Sequence, residues 1–154
     1  MKLVDKPAEK VFFISDTHFG HDWMIDFNNR PYTNSEEMDA TLIRNWNKTV
    51  PKDGLVFILG DIGDTTQERI IEIFDQLNGE KILIKGNHED IYKEETLKAI
   101  FSEIYDLLYI CIQDDQDVKI QDIVLCHSHV RLGELFSGLM ATVWASPHQR
   151  IERI

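Results

Sequence analysis

Four apolar runs, each stopping at a polar and chemically capable residue, constrain this chain more than any other feature. Val11 to Ile14 (VFFI) leads into Asp16-Thr17-His18, and Leu55 to Leu59 (LVFIL) into Gly60-Asp61-Ile62-Gly63-Asp64. Lys81 to Lys85 (KILIK) leads into Gly86-Asn87-His88-Glu89, and Ile123 to Cys126 (IVLC) into His127. Runs without polar alternation read as strands covered on both faces, the pattern of an α/β sheet. In such sheets the ligand crevice lies beyond the carboxyl ends of the strands, so carboxylates, imidazoles and an amide placed there point to a site. Taken alone, Asp16 as a turn cap and His18 as a packed side chain account for the first ending equally well. Four such endings in one small domain are hard to obtain from packing alone.

The intervening segments supply helices. Met38, Leu42 and Trp46 recur every four residues after Ser35, with Glu36 and Glu37 at the positive end of the helix dipole, and Val50 to Gly54 closes the segment with turn residues. Glu68 to Leu77 carries Ile70, Ile73, Phe74 and Leu77 on one face and stops at Asn78-Gly79, which completes a βαβ crossover. Residues 93 to 104 read as a short helix with Leu97, Ile100, Phe101 and Ile104 inward. Leu107 to Ile112 and Val118 to Ile120 read as a hairpin around a polar turn. Asp22 to Tyr32 has no sustained period and is expected to be a loop over the site. From it His21 and Arg30 either meet an anionic substrate or lie plainly at the surface. No repeat or low-complexity linker interrupts the chain, so one domain is expected over residues 1–154.

At 154 residues the chain can bury roughly two thirds of its unfolded surface around one core. Its 27 acids against 16 bases give a formal charge of −11, which opposes wrapping an extended nucleic acid. No apolar run approaches the ~20 residues of a membrane span, and the MKLVDKPAEK start lacks a signal-peptide core. Cys111 and Cys126 have no disulfide or zinc spacing, so a cytoplasmic protein with reduced thiols is expected. A lone buried Asp costs several kcal/mol unless paired or metal-bound, which makes Asp61, close between Gly60 and Gly63, a better ligand than structural residue. Carboxylate, imidazole and amide oxygen together suit first-row dications such as Mn2+, Fe2+ or Zn2+.

Asp16-Thr17-His18, Gly60-Asp61, Gly86-Asn87-His88-Glu89 and the isolated His127, in this order and spacing, resemble the calcineurin-like metallophosphoesterases. DTHFGH with Arg30-Pro31 downstream, Asn45-Trp46-Asn47 and ILGD are similar to a small bacterial and phage branch of uncharacterised phosphoesterases. The resemblance covers roughly residues 10 to 128. It implies a four-layer α/β/β/α sandwich and a centre of two divalent metal ions acting on a small phosphorylated substrate, a phosphomonoester or phosphodiester. By position it implies that Asp16 and His18 hold the first ion, Asp61 bridges, and Asn87 and His127 hold the second. His88 is implied as the catalytic acid or a phosphate contact. Asp64 or Glu89 would orient imidazoles, or be plain surface acids.

The resemblance breaks after Ser128. The family closes its site with Gly-His-x-His, and residues 129–154 contain no such motif. The fold is therefore expected to lack its final strand and closing motif, with 1–128 as the family-like core and 129–154 as an atypical tail. Plausible codons for Val130 to Arg150, read one nucleotide later, can spell Gly-His-Pro-His after an apolar approach, which suggests a frame shift near Ser128 to His129. The alternative is a tail helix with Leu132, Leu135, Phe136 and Leu139 on one face. Two functions follow: a metal-dependent phosphoesterase, impaired to the extent that two imidazoles are missing, or a catalytically inactive domain that survives as a binding module or a pseudogene product.

Overall fold

Three of the four continuous apolar runs fold as neighbouring strands of one parallel sheet, and the fourth, Ile123 to Cys126, ends a strand of a second sheet. A computed structural model describes residues 2–113, 119–127 and 140–144. In chain order the elements are β1 (Lys2–Val4), β2 (Val11–Ile14), α1 (Asp22–Phe27), α2 (Ser35–Thr49), β3 (Leu55–Leu59), α3 (Gln67–Asp75), β4 (Glu80–Ile84), α4 (Glu94–Ile100), β5 (Glu103–Tyr105), β6 (Leu108–Gln113), β7 (Lys119–Cys126) and β8 (Met140–Trp144). One sheet has the order β2-β3-β4-β5 and is parallel throughout. The other has the order β1-β6-β7-β8, mixing parallel pairs with the antiparallel β6 and β7. The fold is mixed α/β.

Alternation within β3 explains why its sequence shows none. Val56 and Ile58 join a buried cluster with Trp46 of α2, Ile70, Ile73 and Phe74 of α3, and Leu97 of α4. Leu55, Phe57 and Leu59 join a second cluster with Ile82 and Ile84 of β4 and with Leu108, Ile110, Ile123 and Leu125 of the other sheet. Both faces of the strand are thus apolar. Complete burial of a side chain of this size contributes about 1.5–3 kcal/mol, so both faces of β3 help to hold the sheet in place.

The Asn45-Trp46-Asn47 triplet proves structural. Trp46 Nε1 donates to Asn78 O (2.9 Å) and Asn47 Nδ2 to Gln76 O (2.7 Å), while Asn78 N donates to Asn47 Oδ1 (2.8 Å). These bonds tie the end of α2 to the turn between α3 and β4. The N-terminus of α2 is capped one residue earlier than its sequence suggests, because Asn34 Oδ1 accepts from Glu37 N at 2.9 Å.

Several expectations need correction. The chain does not lack a last strand: Met140–Trp144 pairs in parallel with β7, from Asp122 opposite Met140 to Cys126 opposite Trp144. The pairing occupies the outer backbone edge of β7. The segment expected as a loop from Asp22 contains α1, a short helix whose Met24 and Ile25 are buried. The helix expected to reach residue 104 stops at Ile100, and Glu103–Tyr105 instead adds to the edge of β4. The two short runs after the polar turn are one strand, β7. The frame-shift site at Ser128 to His129 and the alternative helix with Leu132, Leu135, Phe136 and Leu139 lie outside the described residues. Among the described residues no helix is long and apolar enough to cross a membrane.

Candidate metal centre

Parallel pairing brings three strand ends level. Ile14 of β2 stands opposite Ile58 of β3, which stands opposite Leu83 of β4. Asp16, Asp61 and Asn87 lie two, three and four residues beyond those paired positions, so all three rise from one rim of the sheet. His127 follows β7 of the other sheet and reaches the same place.

The loops that carry these residues are held in unusual backbone conformations. Asp16 (φ 53°), His18 (φ 50°) and Asp61 (φ 55°) are all left-handed, a state that costs a side-chain-bearing residue of order 1–3 kcal/mol. Backbone bonds offset the cost by zipping the first two loops together: Asp16 N to Gly60 O (3.2 Å), His18 N to Asp61 O (3.0 Å) and Phe19 N to Ile62 O (3.0 Å). Thr17 Oγ1 adds a bond to Ile62 O (2.9 Å). The Arg30 guanidinium donates to the carbonyls of Asp16 (2.8 Å) and Thr17 (3.0 Å). Glu89, almost fully buried, accepts from Ile62 N (2.9 Å) with one oxygen and from Gly86 N with the other, joining the second loop to the third.

Two glycines let the loops approach. Gly60 is left-handed (φ 73°), and a Cβ on it would lie 2.6 Å from Gly86 N and from His127 Nδ1. A Cβ on Gly86 would lie 2.6 Å from Asp61 Oδ1. Neither position has room for a side chain.

Ligand atoms of Asp16, His18 and Asp61 lie within 4.8 Å of one another. His18 Nε2 is 3.9 Å from Asp16 Oδ1 and 3.8 Å from Asp61 Oδ2. Asp61 Oδ2 is in turn 3.5 Å from His127 Nε2, and that nitrogen is 3.2 Å from Asn87 Oδ1. One carboxylate oxygen therefore has an imidazole nitrogen on either side of it. The other oxygen, Asp61 Oδ1, accepts from His88 N at 3.2 Å. His127 Nδ1 lies 2.7 Å from the Leu59 carbonyl, so it carries the proton and donates, leaving Nε2 with a free lone pair.

The residues fit a cation. Asp16 Oδ2 is buried and has no hydrogen-bond partner among the described residues, an arrangement that is costly for a carboxylate unless a positive charge completes it. His18 is only 3% exposed, and its pKa is pushed down to about 3, by burial first and then by the Arg30 charge and the neighbouring His21, His88 and His127. It is neutral at physiological pH and offers a lone pair. Burial raises the pKa of Glu89, and its two backbone donors act in the opposite direction.

The His18 shift has a measurable consequence for the metal-free protein. Its folded pKa lies below the unfolded value of 6.5, so between pH 6.5 and about 3 the unfolded chain binds the extra proton. Stability present above pH 6.5 is lost as the pH falls, by at most about 1.4 kcal/mol per pH unit from this group. Urea denaturation in the presence of a chelator, at a series of pH values, should show this slope. His18→Gln should flatten it, and an equal slope in both proteins would refute the assignment.

Of the remaining sequence candidates, His88 lies beside the cluster, its ring centroid 5.4 Å from that of His18 and 5.9 Å from that of His21. His21 is buried, with Nδ1 3.4 Å from His18 Nδ1 and Nε2 3.5 Å from Asp64 Oδ2. Arg30 spends its bonds on the first loop's carbonyls. The structural parts of Arg30 and Glu89 carried no sequence signal beyond their nearness to the motifs.

The calcineurin-like phosphoesterase family matches residues 9–147. An uncharacterised protein of Methanocaldococcus jannaschii is 44% identical over 82 residues, 52% of this chain and 47% of that protein. The gene 66 protein of Mycobacterium phage L5 is 38% identical over 82 residues, 51% of this chain and 39% of its own length. The match thus spans less than half the length of either relative. A solved structure of a protein of unknown function from Aquifex aeolicus is similar with a TM-score of 0.60 and 30% identity, covering 82% of this chain and 65% of that one.

Proposed function

This chain belongs to the calcineurin-like phosphoesterase family, and from that premise we propose that it hydrolyses a small phosphomonoester or phosphodiester at a centre of two divalent cations. The observation that carries the reading is the Asp61 carboxylate with the His18 and His127 nitrogens near it, next to a buried oxygen of Asp16 that has no hydrogen-bond partner among the described residues. Asp16 and His18 would hold one cation, Asn87 and His127 the other, with Asp61 common to both. The α/β/β/α layering is part of the same reading. Bound there, Mn2+, Fe2+ or Zn2+ supplies Lewis-acid activation of water and of the phosphoryl group.

The chain's own groups do the rest. The buried, neutral His18 imidazole and the fixed carboxylates hold their geometry without reorganising, because three strand ends and two cross-braces, Arg30 and Glu89, restrain the loops. His127 is oriented by its bond to Leu59 O. His88 is half-buried and its backbone is anchored on Asp61; its ring gives a proton to the leaving oxygen as general acid. The net charge of −11 favours a small substrate over a nucleic-acid strand.

A second reading, an inactive domain that only binds a ligand, is favoured by one observation: the sequence has no Gly-His-x-His to add an imidazole to each cation. Hydrolysis of bis-p-nitrophenyl phosphate with added Mn2+ separates the two. The enzyme reading expects turnover by the intact chain and a loss of about 10²-fold or more in His88→Ala, the range of a general acid. No metal-dependent turnover by the intact chain, or equal turnover by the variant, would refute the enzyme reading or the role of His88 respectively.

A further inference from the structure

We propose that Asp64, His21 and His18 form a relay, a carboxylate facing one imidazole that is hydrogen-bonded to the next, which presents the His18 Nε2 lone pair to a divalent cation and makes His21 and Asp64 positioning residues for the metal. The inference rests on the metal-site reading above and adds to it two residues outside the ligand set. It starts from a constraint on protons. His18 Nδ1 and His21 Nδ1 face each other at 3.4 Å, with both rings buried. Of two neutral imidazoles in that contact, one must donate and the other accept.

The far side of His21 decides which. Its Nε2 faces Asp64 Oδ2 at 3.5 Å, and an ionised carboxylate only accepts. That carboxylate favours the proton on His21 Nε2, which leaves its Nδ1 bare and makes His18 Nδ1 the donor. That leaves His18 Nε2 as a lone pair, and it points at Asp16 Oδ1 and Asp61 Oδ2, 3.9 and 3.8 Å away. Three electron-rich atoms facing one another repel unless a cation lies among them. The relay and the carboxylate pair thus favour opposite tautomers of His18, and a bound cation makes the relay tautomer the stable one. In the relay His21, which the sequence offered as a substrate contact, faces His18 with one nitrogen and Asp64 with the other.

The protons are assigned here from their partners, so the direct test is to observe them. Histidine 15N NMR of the intact chain with saturating Zn2+ should show His18 protonated at Nδ1 and His21 protonated at Nε2. Calorimetric Zn2+ titration should show that His21→Leu binds about 10- to 100-fold more weakly than wild type, the usual effect of removing such a partner. His21→Gln, whose amide oxygen can accept from His18 Nδ1, should recover most of the affinity, and Asp64→Ala should fall between. Circular dichroism and urea midpoints report whether each variant is folded. His18 protonated at Nε2 in the Zn2+ form, or equal Zn2+ affinity in folded His21→Leu, would overturn the relay while leaving the metal site standing. Absence of any Zn2+ binding by wild type would overturn both.

Discussion

Asp61→Asn is expected to abolish metal-dependent hydrolysis of bis-p-nitrophenyl phosphate while leaving the fold intact. Its Oδ2 lies 3.8 Å from His18 Nε2 and 3.5 Å from His127 Nε2, so neutralising it weakens both cation positions together. Loss of an outer-shell partner typically costs 10- to 100-fold in affinity or activity; loss of the shared ligand should exceed about 100-fold in kcat/KM at fixed Mn2+. The amide keeps a carbonyl oxygen able to accept from His88 N, so the loop retains its anchor and the urea midpoint of the metal-free protein should change little. Steady-state kinetics across a Mn2+ series checks the first expectation and denaturation in chelator the second. Wild-type kinetics in the variant would remove Asp61 from the site.

Gly60→Ala should produce the largest loss of stability among single substitutions at the site. Alanine must there adopt a left-handed conformation, which costs about 1–2 kcal/mol. Its methyl must also fit 2.6 Å from Gly86 N and His127 Nδ1, and overpacking of this kind adds typically 1–3 kcal/mol. The loop cannot simply retreat, because Gly60 O accepts from Asp16 N. A loss of about 2–5 kcal/mol is expected, which for a chain of this size corresponds to a Tm lower by roughly 5–15 °C. Thermal denaturation monitored by circular dichroism measures it directly, and a Tm within 2 °C or so of wild type would show that the loops can separate without cost.

The parts of the fold legible in the sequence are those that burial alone dictates. β2, β3 and β4 stand out because side chains on both faces enter apolar clusters, as Leu55, Phe57 and Leu59 on one side of β3 and Val56 and Ile58 on the other demonstrate. Short elements at sheet edges carry no such signal. β1 is three residues among charges, and β5 holds Glu103 and Tyr105; each is a strand only because a neighbour offers it a free backbone edge. β8 escaped notice because its conformation depends on pairing with β7, a contact between segments distant in sequence.

The same division holds at the site. Asp16, His18, Asp61, Asn87 and His127 were legible because apolar strands end beside them, and the structure gathers them within a few ångströms. The bracing was not. Glu89 resembles any acid after a turn until Ile62 N and Gly86 N are found on its two oxygens. Arg30 likewise resembles a substrate contact until its guanidinium is seen on the carbonyls of Asp16 and Thr17. Such bonds are set by three-dimensional proximity, and neither periodicity nor spacing encodes them.

The shared register of β2, β3 and β4 limits how a chain like this can diverge. Deleting one residue inside LVFIL would drag Asp61 back by about 3.3 Å, one strand step, and exchange the two faces of everything before it. Length changes at the opposite ends of these strands, where α2 meets β3 and α3 meets β4, would leave the donor atoms where they are. Natural variation in length should therefore accumulate on that far side, while the near side changes by substitution alone.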